Sequence, residues 1–192
     1  MAEVVRDLRN DHMDMAILLD VMDRQIAQFQ RGAKPDFNIV RGVINYFLTY
    51  PDLYHHPKED LIVQKLEARA PEQAAALERL LAGHDDLAQL TRRFATATVD
   101  QMVRSKETPR EWFGSLARAF VDSNRRHMAM EEERFFPIVL QALTEEDWAE
   151  LEANVIGGAD PLFGGKVEKH FRALRDAILD LERAEASEPS SG

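Results

Sequence analysis

The sequence predicts an all-α protein, an up-down-up-down four-helix bundle with additional C-terminal helices packed against it. Three observations carry that expectation. Apolar residues recur at steps of three and four through four long segments, the stripe of a core-facing helix. Turn signals separate those segments at Arg31-Gly32-Ala33-Lys34-Pro35, Arg69-Ala70-Pro71 and Arg104-Ser105-Lys106-Glu107-Thr108-Pro109, because Gly and Pro stop helices and Pro favours the start of the next. Finally, His12 and His55 are centred on the first turn, His55 and His84 on the second, and His84 and His127 on the third. Residues equidistant from a hairpin turn lie at equal depth, so four imidazoles should meet in one layer of the bundle.

The first helix carries Leu8, His12, Met15, Leu19, Met22, Ile26 and Phe29 on its inner stripe. The second carries Phe37, Val40, Ile44, Phe47, Pro51, His55, Glu59, Ile62 and Leu66, with Pro51 and Pro57 expected to kink it and re-aim His55, His56 and Glu59. The third series is Leu77, Leu80, His84, Leu87, Thr91, Phe94, Thr98 and Met102. The fourth is Phe113, Leu116, Phe120, Asn124, His127, Glu131, Phe135, Ile138 and Ala142. Together these give a bundle over about residues 8 to 142. Thr144, followed by Glu145, Glu146 and Asp147, reads as the N-cap of a short helix running to about Val155. Four glycines and a proline make 157–165 a loop, and a last helix, about 166–186, places Val167, Phe171, Leu174, Ile178 and Leu181 on one face. The chain is expected to be one domain over 1–186 with a flexible tail, 187–192.

Composition narrows the function classes. The 192 residues are 45% hydrophobic and 30% charged, an ordinary globular balance. A net charge of −10 argues against nucleic acid or an anionic membrane as partner. Without a cysteine there is no disulfide, iron–sulfur ligation or thiol catalysis, so any metal must be held by nitrogen and oxygen. The first residues lack an apolar signal core and no run reaches the length of a membrane span, which reads as a cytoplasmic protein.

Residues four apart share a helix face, so His55 with Glu59 and His127 with Glu131 each present an imidazole beside a carboxylate. Each pair can chelate one ion or bridge two, as in carboxylate-bridged di-metal bundles. His56 falls in the same layer and is a further candidate, although it lies about 100° round the helix from His55. Asp60, Glu132 and Glu133 read as solvated or supporting groups, with Glu132 able to replace Glu131 if the helix carries a bulge; His170 lies outside the layer and reads as structural. The competing reading is a His/Glu hydrogen-bond network that satisfies itself without metal. Burying four imidazoles and two carboxylates in one layer without a cation costs several kcal/mol, which favours a metal. Mixed nitrogen and oxygen donors in high coordination number suit iron or manganese better than structural zinc.

The motifs Asp11-His12, His55-His56-Pro57-Lys58-Glu59-Asp60, Gly83-His84-Asp85 and His127-Met128-Ala129-Met130-Glu131-Glu132-Glu133 resemble those of the hemerythrin-like, or HHE cation-binding, family. Ala159-Asp160-Pro161-Leu162-Phe163 resembles the tail of its bacterial members. The resemblance implies two iron ions, oxo- or hydroxo-bridged, with manganese or zinc ranked behind, and a small diatomic ligand or peroxide as partner. It further implies His12 and His55 on one iron, His84 and His127 on the other, and Glu59 and Glu131 bridging. Oxygen-carrying hemerythrins have a second histidine four residues after the one on the third helix; Ala88 stands there in this chain, and His56 could restore the ligand. The leading expectation is therefore a binding module, monomer or homodimer, that senses, stores or scavenges oxygen, nitric oxide or iron. The runner-up is a di-iron enzyme that reduces peroxide or oxygen or repairs iron–sulfur clusters.

Overall fold

A computed structural model describes residues 2–81, 83–103, 109–154, 162–163, 174–176 and 178–180. The described elements are helical and form four rods. The first is α1, Glu3–Gln30. It ends on Gly32, whose φ of 92° lets its N–H reach the Phe29 carbonyl while Ala33 N–H reaches that of Gln28, closing two orphan carbonyls in a Schellman turn. Asp36 then caps α2, Phe37–Phe47, by accepting from Asn38 N–H at 2.8 Å. The second rod continues through a π-turn, Pro51–His55, into α3, His56–Arg69. The third comprises α4, Pro71–Leu81, and α5, Gly83–Val103. The fourth runs from α6, Arg110–Met130, through a second π-turn, Glu131–Phe135, into α7, Phe136–Ala142. Helix α1 packs against α2 and α6, α5 against both of those, and α3 against α4 and α7, which closes the four-rod ring. No helix among the described residues is long and apolar enough to cross a membrane.

The rods depart from the expected periodicity at three places. The third rod's last expected inward residue, Met102, is 42% exposed. The second bends at its prolines as expected, but by a specific device: Pro57 lacks the N–H that the Leu53 carbonyl would bind, and His56 N–H reaches back five residues to Pro51 instead. The fourth rod repeats this where no bend was expected. Pro137 withholds its N–H from Glu133, and Phe136 N–H bonds the Glu131 carbonyl. The inserted residue slips the stripe by one position, so Phe136, Val139 and Leu143 are buried where Ile138 and Ala142 were expected.

Two apolar cores fill the bundle. One gathers Met22, Ile26, Phe29, Ile44, Phe47, Phe94 and Phe120; the other gathers Leu8, Ile62, Leu66, Phe135, Phe136 and Val139. In every rod the candidate ligands sit in the chain between residues of the two cores, so the polar layer divides them. Helix α8, Glu145–Asn154, lies on α1 and α3. As expected, Thr144 caps it: its Oγ1 accepts from Asp147 N–H, and Asp147 Oδ2 accepts from Thr144 N–H at 2.9 Å. Asp147 also takes a two-pronged bond from Arg69 of α3. Of the last expected helix, 174–176 and 178–180 are helical, and Leu174 and Ile178 are buried in the first core. Gly42 admits Leu174, since a Cβ there would come 3.2 Å from the leucine Cβ. Val167, His170, Phe171, Leu181 and the tail lie outside the described residues.

The Gly32 turn is remote from the histidine layer. Gly32→Ala, which forces an L side chain into the left-handed region, should cost about 1 kcal/mol in urea unfolding while leaving metal binding unchanged.

Candidate metal centre

The two π-turns sit at the layer itself: His55 is the last residue of one and Glu131 the first of the other. With Glu59 one turn along α3 and His12, His84 and His127 arriving from the other rods, the side chains converge. Ligand atoms of His12, His55, Glu59 and Glu131 all lie within 4.8 Å of one another, as do those of His56, Glu59 and His84, and those of His84, His127 and Glu131. Glu59 and Glu131 each belong to two of these groups. Glu131 Oε2 is 3.1 Å from His12 Nε2, and its Oε1 is 2.7 Å from His127 Nε2 and 3.4 Å from His84 Nε2. Glu59 lies 3.5 Å from His55 Nε2 and 3.4 Å from His84 Nε2. All seven sequence candidates are therefore brought together. His84 and His56 line the more open side, whereas the side chains of His12, His55, Glu59, His127 and Glu131 are nearly sealed from solvent.

The outward nitrogens are anchored. His12 Nδ1 lies 3.0 Å from Glu132 Oε1, and Arg9 holds the other Glu132 oxygen at 2.9 Å. His55 Nδ1 lies 3.1 Å from Asp11 Oδ2, and His56 Nδ1 3.2 Å from Asp52. An ionised carboxylate only accepts, so each Nδ1 donates, and in the neutral ring the Nε2 lone pair is left facing the centre. Asp11 is itself held by the Tyr50 hydroxyl at 3.0 Å and the buried Lys58 ammonium at 3.2 Å. Gly83 lets α5 approach His127, because a Cβ there would stand 3.1 Å from its Nδ1. His56 stacks on His84 with centroids 3.9 Å apart. Asp11, Lys58 and Glu132 stand inside the motifs, although no pattern tied Lys58 to Asp11; Tyr50 lies outside them.

Electrostatics divide the histidines. Burial lowers the basicity of His55, but the charge of Glu59, the Asp11 hydrogen bond and Glu131 outweigh it and raise the ring to about 10. His84 is likewise raised, its burial overcome by Glu131 and Glu59. His56 is carried down to about 2 by burial and by the neighbouring His84 and His55, so it is a neutral donor. Burial would raise Glu131, but the close imidazoles of His12, His127 and His84 hold it well below the carboxylate range.

A self-satisfied network would leave no buried polar atom without a partner, yet five atoms here have no hydrogen bond: His12 Nε2, His127 Nε2, Glu131 Oε2 and both Glu59 oxygens. His12 and His127 approach Glu131 within hydrogen-bond distance, but not at hydrogen-bond angles. Close together yet without hydrogen bonds, these atoms are a donor set that a cation would satisfy. Beside them is a cavity of about 30 Å³ walled by Met15, Phe47, Leu87, Ala88, Thr91 and Asn124, the volume of roughly one water or diatomic molecule.

Two outcomes follow. Without metal, His55 stabilises the fold fully below about pH 6.5 and loses that contribution as pH rises towards 10; His56, neutral in the fold, costs stability as pH falls below about 6.5. Thermal melts of chelated protein should therefore peak near that value. Asp11→Ala frees His55 Nδ1 and should weaken metal binding about 10- to 100-fold in competition titrations.

Comparison with protein-family models matches residues 3–139 to the hemerythrin HHE cation binding domain. Comparisons with curated proteins and with solved structures give no significant match. A match over most of the chain, on a bundle whose core gathers five histidines and two glutamates, settles the family: this chain belongs to the hemerythrin HHE cation-binding domain family.

Proposed function

We propose that the protein is a non-haem di-iron module that binds, senses or stores oxygen, nitric oxide or iron in its bundle core. In this reading His12 and His55 hold one ion, His56, His84 and His127 the other, and Glu59 and Glu131 bridge the two. The observation that carries it is the set of buried lone pairs without hydrogen bonds, centred between two carboxylates that each belong to two donor groups. Five imidazoles and two carboxylates, without a sulfur donor, favour iron over structural zinc. When bound, iron supplies reversible redox chemistry and open coordination positions.

The chain's own residues do the rest. Asp11, Asp52 and Glu132 fix the ring orientations and keep Nε2 free. His55, protonated at neutral pH, must give up its proton to ligate, so loading should release protons. The apolar walls supplied by Met15, Phe47 and Leu87 keep bulk water from the cavity, whose size suits a diatomic rather than an organic substrate. An acidic, cysteine-free chain suits the cytoplasm.

The cavity also admits hydrogen peroxide, which is the ground for the competing enzyme reading. After anaerobic loading with ferrous iron we expect two iron atoms per chain, near-ultraviolet bands on oxidation, and a reversible spectral change with oxygen or nitric oxide. Failure to retain stoichiometric iron would overturn the di-iron reading, and many turnovers of peroxide per chain would replace the binding module with an enzyme. His84→Ala with His127→Ala should abolish the bands.

A further inference from the structure

The cavity beside the histidines has one polar wall, and its chemistry is asymmetric. Besides five of the candidate ligands, His12, His55, His56, His127 and Glu131, it is lined by Met15, Phe47, Pro51, Leu87, Ala88 and Met128, and by Asp52, Thr91 and Asn124. Met15, Phe47, Pro51, Leu87, Ala88 and Met128 carry no side-chain N–H or O–H. Asp52 accepts from His56 Nδ1. The Thr91 hydroxyl donates to the Leu87 carbonyl at 2.8 Å, so its proton is committed. Asn124 is 93% buried by its 7% exposure and sits one turn before His127 on the inner face of α6. Its Nδ2 donates to the Phe120 carbonyl at 2.8 Å. A carbonyl only accepts, so this bond fixes which end of the amide is nitrogen. A primary amide has two N–H groups, and the second is the one side-chain donor on the non-ligating wall not already given to a protein acceptor.

We propose that Asn124 determines specificity: its second Nδ2–H donates to the outer atom of a small ligand seated in this cavity, favouring ligands whose outer atom gathers negative charge over a neutral diatomic such as nitric oxide. This rests on the di-iron reading above. In a small cavity with mostly apolar walls, a negatively charged outer atom keeps few water neighbours, so a single amide donor adds measurably to its binding. Ala88 carries no polar side-chain atom, and the thioethers of Met15 and Met128 offer only weak acceptors.

Azide is the probe for a small anion, added to the full chain loaded with ferric iron, with nitric oxide on the ferrous form as the neutral comparison. Asn124→Leu keeps the shape and removes the donor; Asn124→Ala removes it without bulk. The inference expects both variants to retain two iron atoms per chain, to bind azide about tenfold or more weakly, to shift the bound azide infrared stretch, and to bind nitric oxide within about threefold of the parent. Azide affinity within twofold of the parent in iron-replete variants would overturn it, as would weakening in Asn124→Leu alone, which would be a steric effect. If the parent chain itself retains no iron, the di-iron reading fails and this inference with it. Iron content measured first therefore separates the two.

Discussion

The structure depends on one constraint: two carboxylates and five imidazoles occupy a layer between two apolar cores, where charge is expensive and hydrogen bonds are too few. Glu59 and Glu131 are about 1% and 2% exposed, a position almost never given to an unpaired carboxylate. Every rod contributes to meeting that demand. Residues below the layer pack as Leu8, Ile62 and Val139, residues above it as Met22, Ile44 and Phe120, with the polar side chains between them. A cation at their focus turns that arrangement from a liability into a cross-link between all four rods.

The π-turns are where backbone chemistry serves the site. Each is followed by a proline two residues on, Pro57 and Pro137, and each lies at a ligand. Withholding one N–H widens the helix by a residue, which rotates the following face by about 100°. On the second rod this sends the adjacent His55 and His56 to two different donor groups, with Glu59 belonging to both. On the fourth it keeps Glu131 inward while Glu132 turns to His12 Nδ1 and Arg9. The same slip carries Phe136 onto His12, whose ring it meets with centroids 5.5 Å apart. A purely local feature of the sequence thus sets both the donor geometry and the apolar lid beneath it.

Much of this was legible without coordinates. Equal spacing of His12, His55, His84 and His127 about the turns gave the layer, because rise per residue is constant along antiparallel helices. Every residue named on the stripe of α1, from Leu8 to Phe29, is buried, and Leu18 and Val21 beside it are buried as well. The inward phase of α7 was not, since a period of 3.6 assumes an unbroken ladder and Pro137 breaks it; Ile138 and Ala142 were misplaced for that reason. Tyr50 and Lys58 escaped because polar partners of a ligand need no periodicity, only reach: both meet at Asp11, far away in the chain. The depressed basicity of His56 comes first from burial and then from a ring stacked from another rod, neither of which a local pattern encodes.

The central claim is that the unsatisfied atoms share cations rather than water. Anomalous diffraction at the iron edge from crystals of iron-loaded protein tests it directly. The account predicts two peaks inside the bundle, one among His12, His55, Glu59 and Glu131 and the other among His56, His84 and His127, with both glutamates between them. Absence of internal peaks in iron-soaked crystals, with ordered water hydrogen-bonded to those same oxygens and nitrogens, would contradict it.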